Sequence, residues 1–101
     1  MITCYLKYII NEEKIEAFED YAKTWIKLVN KFGGVHHGYL LPSEGASNIA
    51  IATFSFKSLS EYEMYREKSF EDKECQEAFE YAKKTKCILS YERSFFRPVF
   101  E

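Results

Sequence analysis

Two helix-patterned stretches, each placed between strand-like segments, restrict the fold of this 101-residue chain more than any other feature. From Glu12 to about Phe32 the apolar residues Ile15, Phe18, Ala22, Trp25, Ile26, Val29 and Phe32 recur at steps of three and four, the stripe of an amphipathic helix. Acidic residues gather in its first half and Lys23, Lys27 and Lys31 in its second, which complements the helix dipole. Asn11 caps its start and Gly33-Gly34 stop it. Ser60 and Glu63 have capping-box spacing and open a short helix to about Lys68; another follows from near Glu71, with Cys75, Ala78, Phe79 and Ala82 on one side. Residues 1–10, Val35–Leu41, Ile49–Phe56 and Cys87–Phe96 read as strands, rich in β-branched and aromatic types.

A crossover of helical length between strands of one sheet makes those strands parallel and non-adjacent or intervening. The order βαββααβ therefore predicts an α+β, ferredoxin-like domain over residues 1–101 with a four-stranded antiparallel sheet. Helices cover one face of such a sheet, yet the strands alternate apolar residues on both faces: Ile2, Cys4, Leu6 and Tyr8 oppose Thr3, Tyr5 and Ile9, and Ile49 and Ile51 oppose Ala50, Ala52, Phe54 and Phe56. The second face needs a cover, and a homodimer packed face to face supplies it most simply.

The opening strand followed by NEEKIEAFEDY, the segment VNKFGGVHHGYLLPSEGASNIAIATFSF, the helical SLSEYEMYREKSFEDKECQEAF and the closing SYERSFFRPVF together resemble a NIPSNAP-family domain over essentially the whole chain. That resemblance implies the dimeric α/β-barrel arrangement, in which two ferredoxin-like protomers pack sheet against sheet around a central cavity. Relatives within that superfamily include cofactor-independent oxygenases, haem-handling proteins and small isomerases. The resemblance also implies an acidic and a basic residue in the first strand of many members. This chain has Cys4 and Leu6 there, so chemistry that depends on such a pair is not expected of it.

Charge and cysteine content exclude several classes. Fourteen basic against sixteen acidic residues leave a net charge of −2, with no basic surface to recommend a nucleic-acid partner. No segment approaches the roughly 20 apolar residues of a membrane span, and the start, interrupted by Lys7, is not a secretory signal. The three cysteines Cys4, Cys75 and Cys87 are an odd set without a C-x-x-C pair, which points to a reducing cytoplasm and to small core residues. Hydrolase, zinc-protease and nucleotide-loop motifs are missing from the sequence, and nothing in it specifies a cofactor or a metal.

The residues left to carry chemistry lie on the strands. His36 and His37 are consecutive and point to opposite faces of a regular strand, so they do not chelate one ion. His37 shares its face with Tyr39 and is the histidine expected in the cavity; a bulge at Gly38 would exchange the two roles. Tyr91 and Arg93 share a face of the last strand, where the planar guanidinium suits a carboxylate. The candidate ligand-binding set is thus His37, Tyr39, Tyr91 and Arg93, around a between-sheet cavity for a small hydrophobic or carboxylate-bearing molecule. The alternatives are an oxygenase or haem-handling enzyme and a non-catalytic assembly module whose sheet face is filled by side chains.

Overall fold

A computed structural model describes residues 1–100. The strands are β1 (Ile2–Ile10), β2 (Val35–Leu40), β3 (Ile49–Phe56) and β4 (Ile88–Phe96); the helices are α1 (Ile15–Lys31), preceded by a 3-10 turn at Glu12–Lys14, then α2 (Leu59–Glu71) and α3 (Lys73–Thr85). The sheet order is β2-β3-β1-β4 and every pairing is antiparallel, which is the ferredoxin-like topology.

The helices begin and end where the local chemistry allows. Asn11 Oδ1 accepts the Glu13 N–H at 3.0 Å and starts the turn into α1. The buried residues of α1, Phe18, Tyr21, Ala22, Trp25, Leu28 and Val29, form one stripe. Phe18 is fully buried, and covering a side chain of that size contributes roughly 2–3 kcal/mol. Beyond the helix, Gly34 passes so close to the core that a Cβ there would stand 2.7 Å from the Phe56 ring. The cap of α2 is Ser58, which accepts the Glu61 N–H at 3.1 Å. The box thus sits two residues before the expected Ser60-Glu63 pair, because Ser58 is the last residue with extended backbone. Asp72 breaks the helical run, ending α2 and capping α3 through the Cys75 N–H at 3.0 Å. Lys31 reaches Asp72 at 3.2 Å and Glu74 at 2.9 Å, joining the end of α1 to the start of α3.

All three helices lie on one face of the sheet, over Cys4, Leu6, Tyr8 and Ile10 of β1 and Ala50, Ala52, Phe54 and Phe56 of β3, all buried. The small Ala50 and Ala52 let the helix layer approach β3 closely. The three cysteines are buried and unpaired, as small core residues are.

The expected barrel does not form. The sheet is open: β2 and β4 form its two edges and each is hydrogen-bonded to a single neighbour, so no barrel closes. Closure requires a ladder that runs from edge to edge, and four strands with β2 and β4 at opposite ends do not supply it. The uncovered face carries Tyr5, Ile9, Val35, Leu40, Ile49, Ile51 and Phe96, together with Thr3, Lys7, Thr53 and Ser55, with Lys7 opposite Glu92 in the ladder. On β4 the regular pairing of Cys4 with Phe95 and Tyr8 with Tyr91, and the register break at Ile9/Ile10 that sets Ile10 against Ile88, put Ile88, Tyr91 and Phe95 on the helix face.

Candidate functional site

The helix layer does not cover its face of the sheet evenly. It packs against β2 and β3, while Tyr91 and Phe95 of β4, on the same face, remain 54% and 39% exposed. A cleft opens over β4 as a result, about 540 Å³ in volume, walled by Phe70 of α2, Phe79, Ala82 and Lys83 of α3, and Ile88, Tyr91 and Arg93 of β4. Behind it lies an inner void of about 50 Å³ that reaches Trp25, His36, Tyr39, Phe54, Tyr62 and Tyr65. Tyr8, Tyr21, Arg66, Phe79 and Arg93 line both spaces and mark their junction. Both spaces lie inside one protomer, between the sheet and its own helices.

Aromatic rings form most of the wall. Tyr8 stands 5.1 Å from Phe18, 6.2 Å from Tyr39 and 6.1 Å from Tyr91 between ring centroids, and Trp25 stands 5.1 Å from Phe79. Burial raises the pKa of the phenols of Tyr8, Tyr39, Tyr62 and Tyr65 and pushes Tyr21 up to about 12, so all remain protonated near neutral pH. Cys4, beside them, is held as a thiol, its pKa pushed up to about 11 by burial despite the nearby Arg93 charge.

The polar character of the cleft is one-sided. No carboxylate lines either space, and neither Arg66 nor Arg93 has a carboxylate partner among the described residues. The Arg66 guanidinium lies 4.9 Å from the Phe70 ring and that of Arg93 lies 5.4 Å from the Tyr91 ring, cation-on-aromatic contacts that hold each charge at the wall. The Arg93 Nε–H is buried without an acceptor, and so is the indole N–H of Trp25. Native proteins leave few such donors unpaired, which makes two in one cavity informative.

The two histidines part company at Gly38. With a φ of +99°, Gly38 forms a bulge between His36, opposite Phe54, and Tyr39, opposite Ala52, so that His36 and Tyr39 share the helix face. Their rings stack at 5.0 Å and 16°. His37 turns to the open face, where its Nε2 lies 2.7 Å from Ser55 Oγ, itself 2.8 Å from Thr3 Oγ1. Of the four residues singled out from the sequence, Tyr39, Tyr91 and Arg93 thus face the helices, Arg93 and Tyr91 in the cleft and Tyr39 in the void, and His37 stands apart on the other side. The bulge thus overturns the expected pairing of His37 with Tyr39 and puts His36 beside Tyr39 instead. Tyr21, Tyr62, Tyr65 and Arg66 were not singled out; the spacing Tyr62, Tyr65, Arg66 along one helix is the signal that places them on a common face. Tyr5 points away from the cleft, edge-on to Phe96 at 5.9 Å, and the loop from Pro42 to Asn48 lines neither space. The described residues hold no cluster of metal-binding side chains and no helix long and apolar enough to cross a membrane.

Topology and cleft define a ferredoxin-like α+β protein with a cationic, aromatic-walled cavity within the protomer. The NIPSNAP family profile matches residues 6–100, and the chain belongs to the NIPSNAP family. Solved structures agree on the fold. A NIPSNAP-family protein from Agrobacterium tumefaciens superposes with a TM-score of 0.81 at 21% identity, covering 97% of this chain and 92% of that one. A NIPSNAP domain protein from Burkholderia xenovorans gives 0.78 at 17% identity, covering 98% and 95%. A conserved protein from Methanosarcina mazei gives 0.72 at 18% identity, covering 95% and 90%. No curated protein sequence matches this chain.

Proposed function

We propose that this protein binds a small carboxylate with an apolar, aromatic or branched body in the cleft between its helices and its sheet. The observation that carries the reading is the pair Arg66 and Arg93: two guanidinium groups at the junction of cleft and void, with no carboxylate lining the site and a buried Arg93 Nε–H that lacks an acceptor. A buried N–H without an acceptor is costly, and an incoming anion relieves that cost with charge-assisted hydrogen bonds from the two half-buried guanidinium groups. The aromatic walls supply a matching surface for a flat or bulky body.

Trp25 is the only tryptophan and lines the void, so its fluorescence reports occupancy. Phenylacetate is the probe and phenylacetamide its uncharged counterpart. The reading predicts that phenylacetate binds about tenfold or more tightly than the amide, and that Arg93→Met removes the difference. Equal affinities for acid and amide in the wild type would overturn it.

The working form in this proposal is a single-domain protomer paired with a second copy through the open face of the sheet. Ile9, Ile49, Ile51 and Leu40 on that face support the pairing, since no element among the described residues covers them. Sedimentation at micromolar concentration gives a particle of twice the 12.0 kDa chain mass if the pairing holds, and of the single-chain mass if it does not.

A further inference from the structure

We propose that His36 is a fixed, uncharged hydrogen-bond donor in the inner void, and that the ligand is a 2-oxo acid whose keto oxygen takes that donor while its carboxylate meets the arginines. The inference rests on the carboxylate reading above and narrows it to a substrate class.

Gly38 turns the chain so that its backbone N–H donates to His36 Nδ1 at 2.9 Å. A ring nitrogen that accepts an N–H carries no proton, so the neutral imidazole has its one proton on Nε2. No group of the protein accepts that Nε2–H among the described residues. The ring is held in place by the Tyr39 stack and by Phe54 at 5.6 Å. A second proton would have to sit on Nδ1 against the Gly38 N–H. Burial, and then the neighbouring His37 charge, hold the group down at about 4, so near neutral pH the ring donates and does not act as a base.

Position then sets the ligand. His36 and Trp25 line the void alone, whereas Arg66 and Arg93 line void and cleft together. The void of about 50 Å³ takes only a few heavy atoms, and the donors that line it alone, the Trp25 indole N–H, the His36 Nε2–H and the hydroxyls of Tyr39, Tyr62 and Tyr65, are all uncharged. An uncharged oxygen acceptor suits them. The full negative charge belongs one step outward, at the arginines, and the apolar body further out, against Phe70 and Phe79. A keto group adjacent to a carboxylate and followed by an apolar substituent has that order of parts.

The test compares benzoylformate with phenylacetate by calorimetry, two acids of equal charge and similar shape that differ by a keto oxygen in place of a methylene. Wild type should prefer benzoylformate by about tenfold, the scale of one hydrogen bond. His36→Leu should lose that preference, while His36→Gln, which keeps a side-chain N–H, should restore part of it. Nitrogen-15 spectra of the wild-type imidazoles provide a readout that needs neither variant nor ligand: His36 should be the Nε2–H tautomer from pH 5.5 to 8. The Nδ1–H tautomer, a protonated ring in that range, or an unchanged preference in His36→Leu would each overturn the inference. Phenylacetate binding without any preference for benzoylformate overturns the keto assignment alone, and binding of neither acid overturns the carboxylate reading with it.

Discussion

The two faces of the sheet are made by the same strands, yet they differ in how their polar groups are satisfied. On the open face His37, Ser55 and Thr3 form a closed chain of contacts at 2.7 and 2.8 Å, and Ser55 is buried as a result. On the helix face the Arg93 Nε–H and the Trp25 indole N–H are buried with no acceptor. On the open face these three side chains satisfy one another, whereas on the helix face two donors stay unpaired beside a cavity. Unmet donors are a stability cost that a structural core has no reason to carry, whereas a binding site keeps them for its ligand. The same contrast runs through adjacent residues, since one bulge sends His36 to the helix face and His37 to the open one.

The largest expected difference between the faces is in packing. Trp25→Ala should destabilise the fold by about 3 kcal/mol, the range for deleting a large buried aromatic, while Lys7→Ala on the open face should cost less than about 0.5 kcal/mol. Urea midpoints of the two variants check this, and equal shifts would show that the cavity wall carries no more of the stability than the uncovered surface.

Next in size is the bulge. Gly38→Ala forces a left-handed backbone on a residue with a Cβ and should cost about 1–2 kcal/mol, although nothing lies within 4 Å of the added carbon. The effect beyond stability sharpens the comparison: the loss of the Gly38 N–H to Nδ1 contact should free the His36 tautomer, visible in its nitrogen-15 shifts, with His37 unaffected. A variant with wild-type stability and tautomer would contradict the role given to the bulge.

A smaller effect follows from pH. The folded chain holds the His36 pKa down at about 4, against an ordinary value near 6.5, chiefly through burial. Between these values the unfolded chain binds a proton that the folded chain does not, so the contribution of His36 is present above about pH 6.5 and is lost as pH falls towards 4. Thermal midpoints should drop over that interval, and His36→Gln should flatten the profile. An equally steep profile in the variant would assign the proton uptake elsewhere.

Much of the fold was legible because it depends on periodicity. The stripe from Phe18 to Val29, the alternation along β1 and β3, and the order of the elements lead to the four-stranded antiparallel sheet. Closure into a barrel was not legible, since it depends on how edges meet and no alternation pattern encodes that. The site was legible in part. Tyr91 and Arg93 fall on one face because β4 is regular between them, whereas the pairing of Tyr39 with a histidine turned on a single backbone angle at Gly38. Tyr62, Tyr65 and Arg66 were hidden for another reason: the apolar residues of α2 are scattered around the helix, with Leu59, Met64 and Phe70 exposed, so no dominant stripe pointed to its inner side.

The most direct measurement of the contrast is a chemical-shift map of the nitrogen-15-labelled protein titrated with phenylacetate. The account predicts that the Trp25 indole N–H and the Arg93 Nε–H move with ligand and saturate together, while the amides of Thr3, Lys7 and Ser55 and the ring of His37 stay in place. Shifts confined to the open face, or a titration that leaves both unpaired donors unmoved, would contradict it.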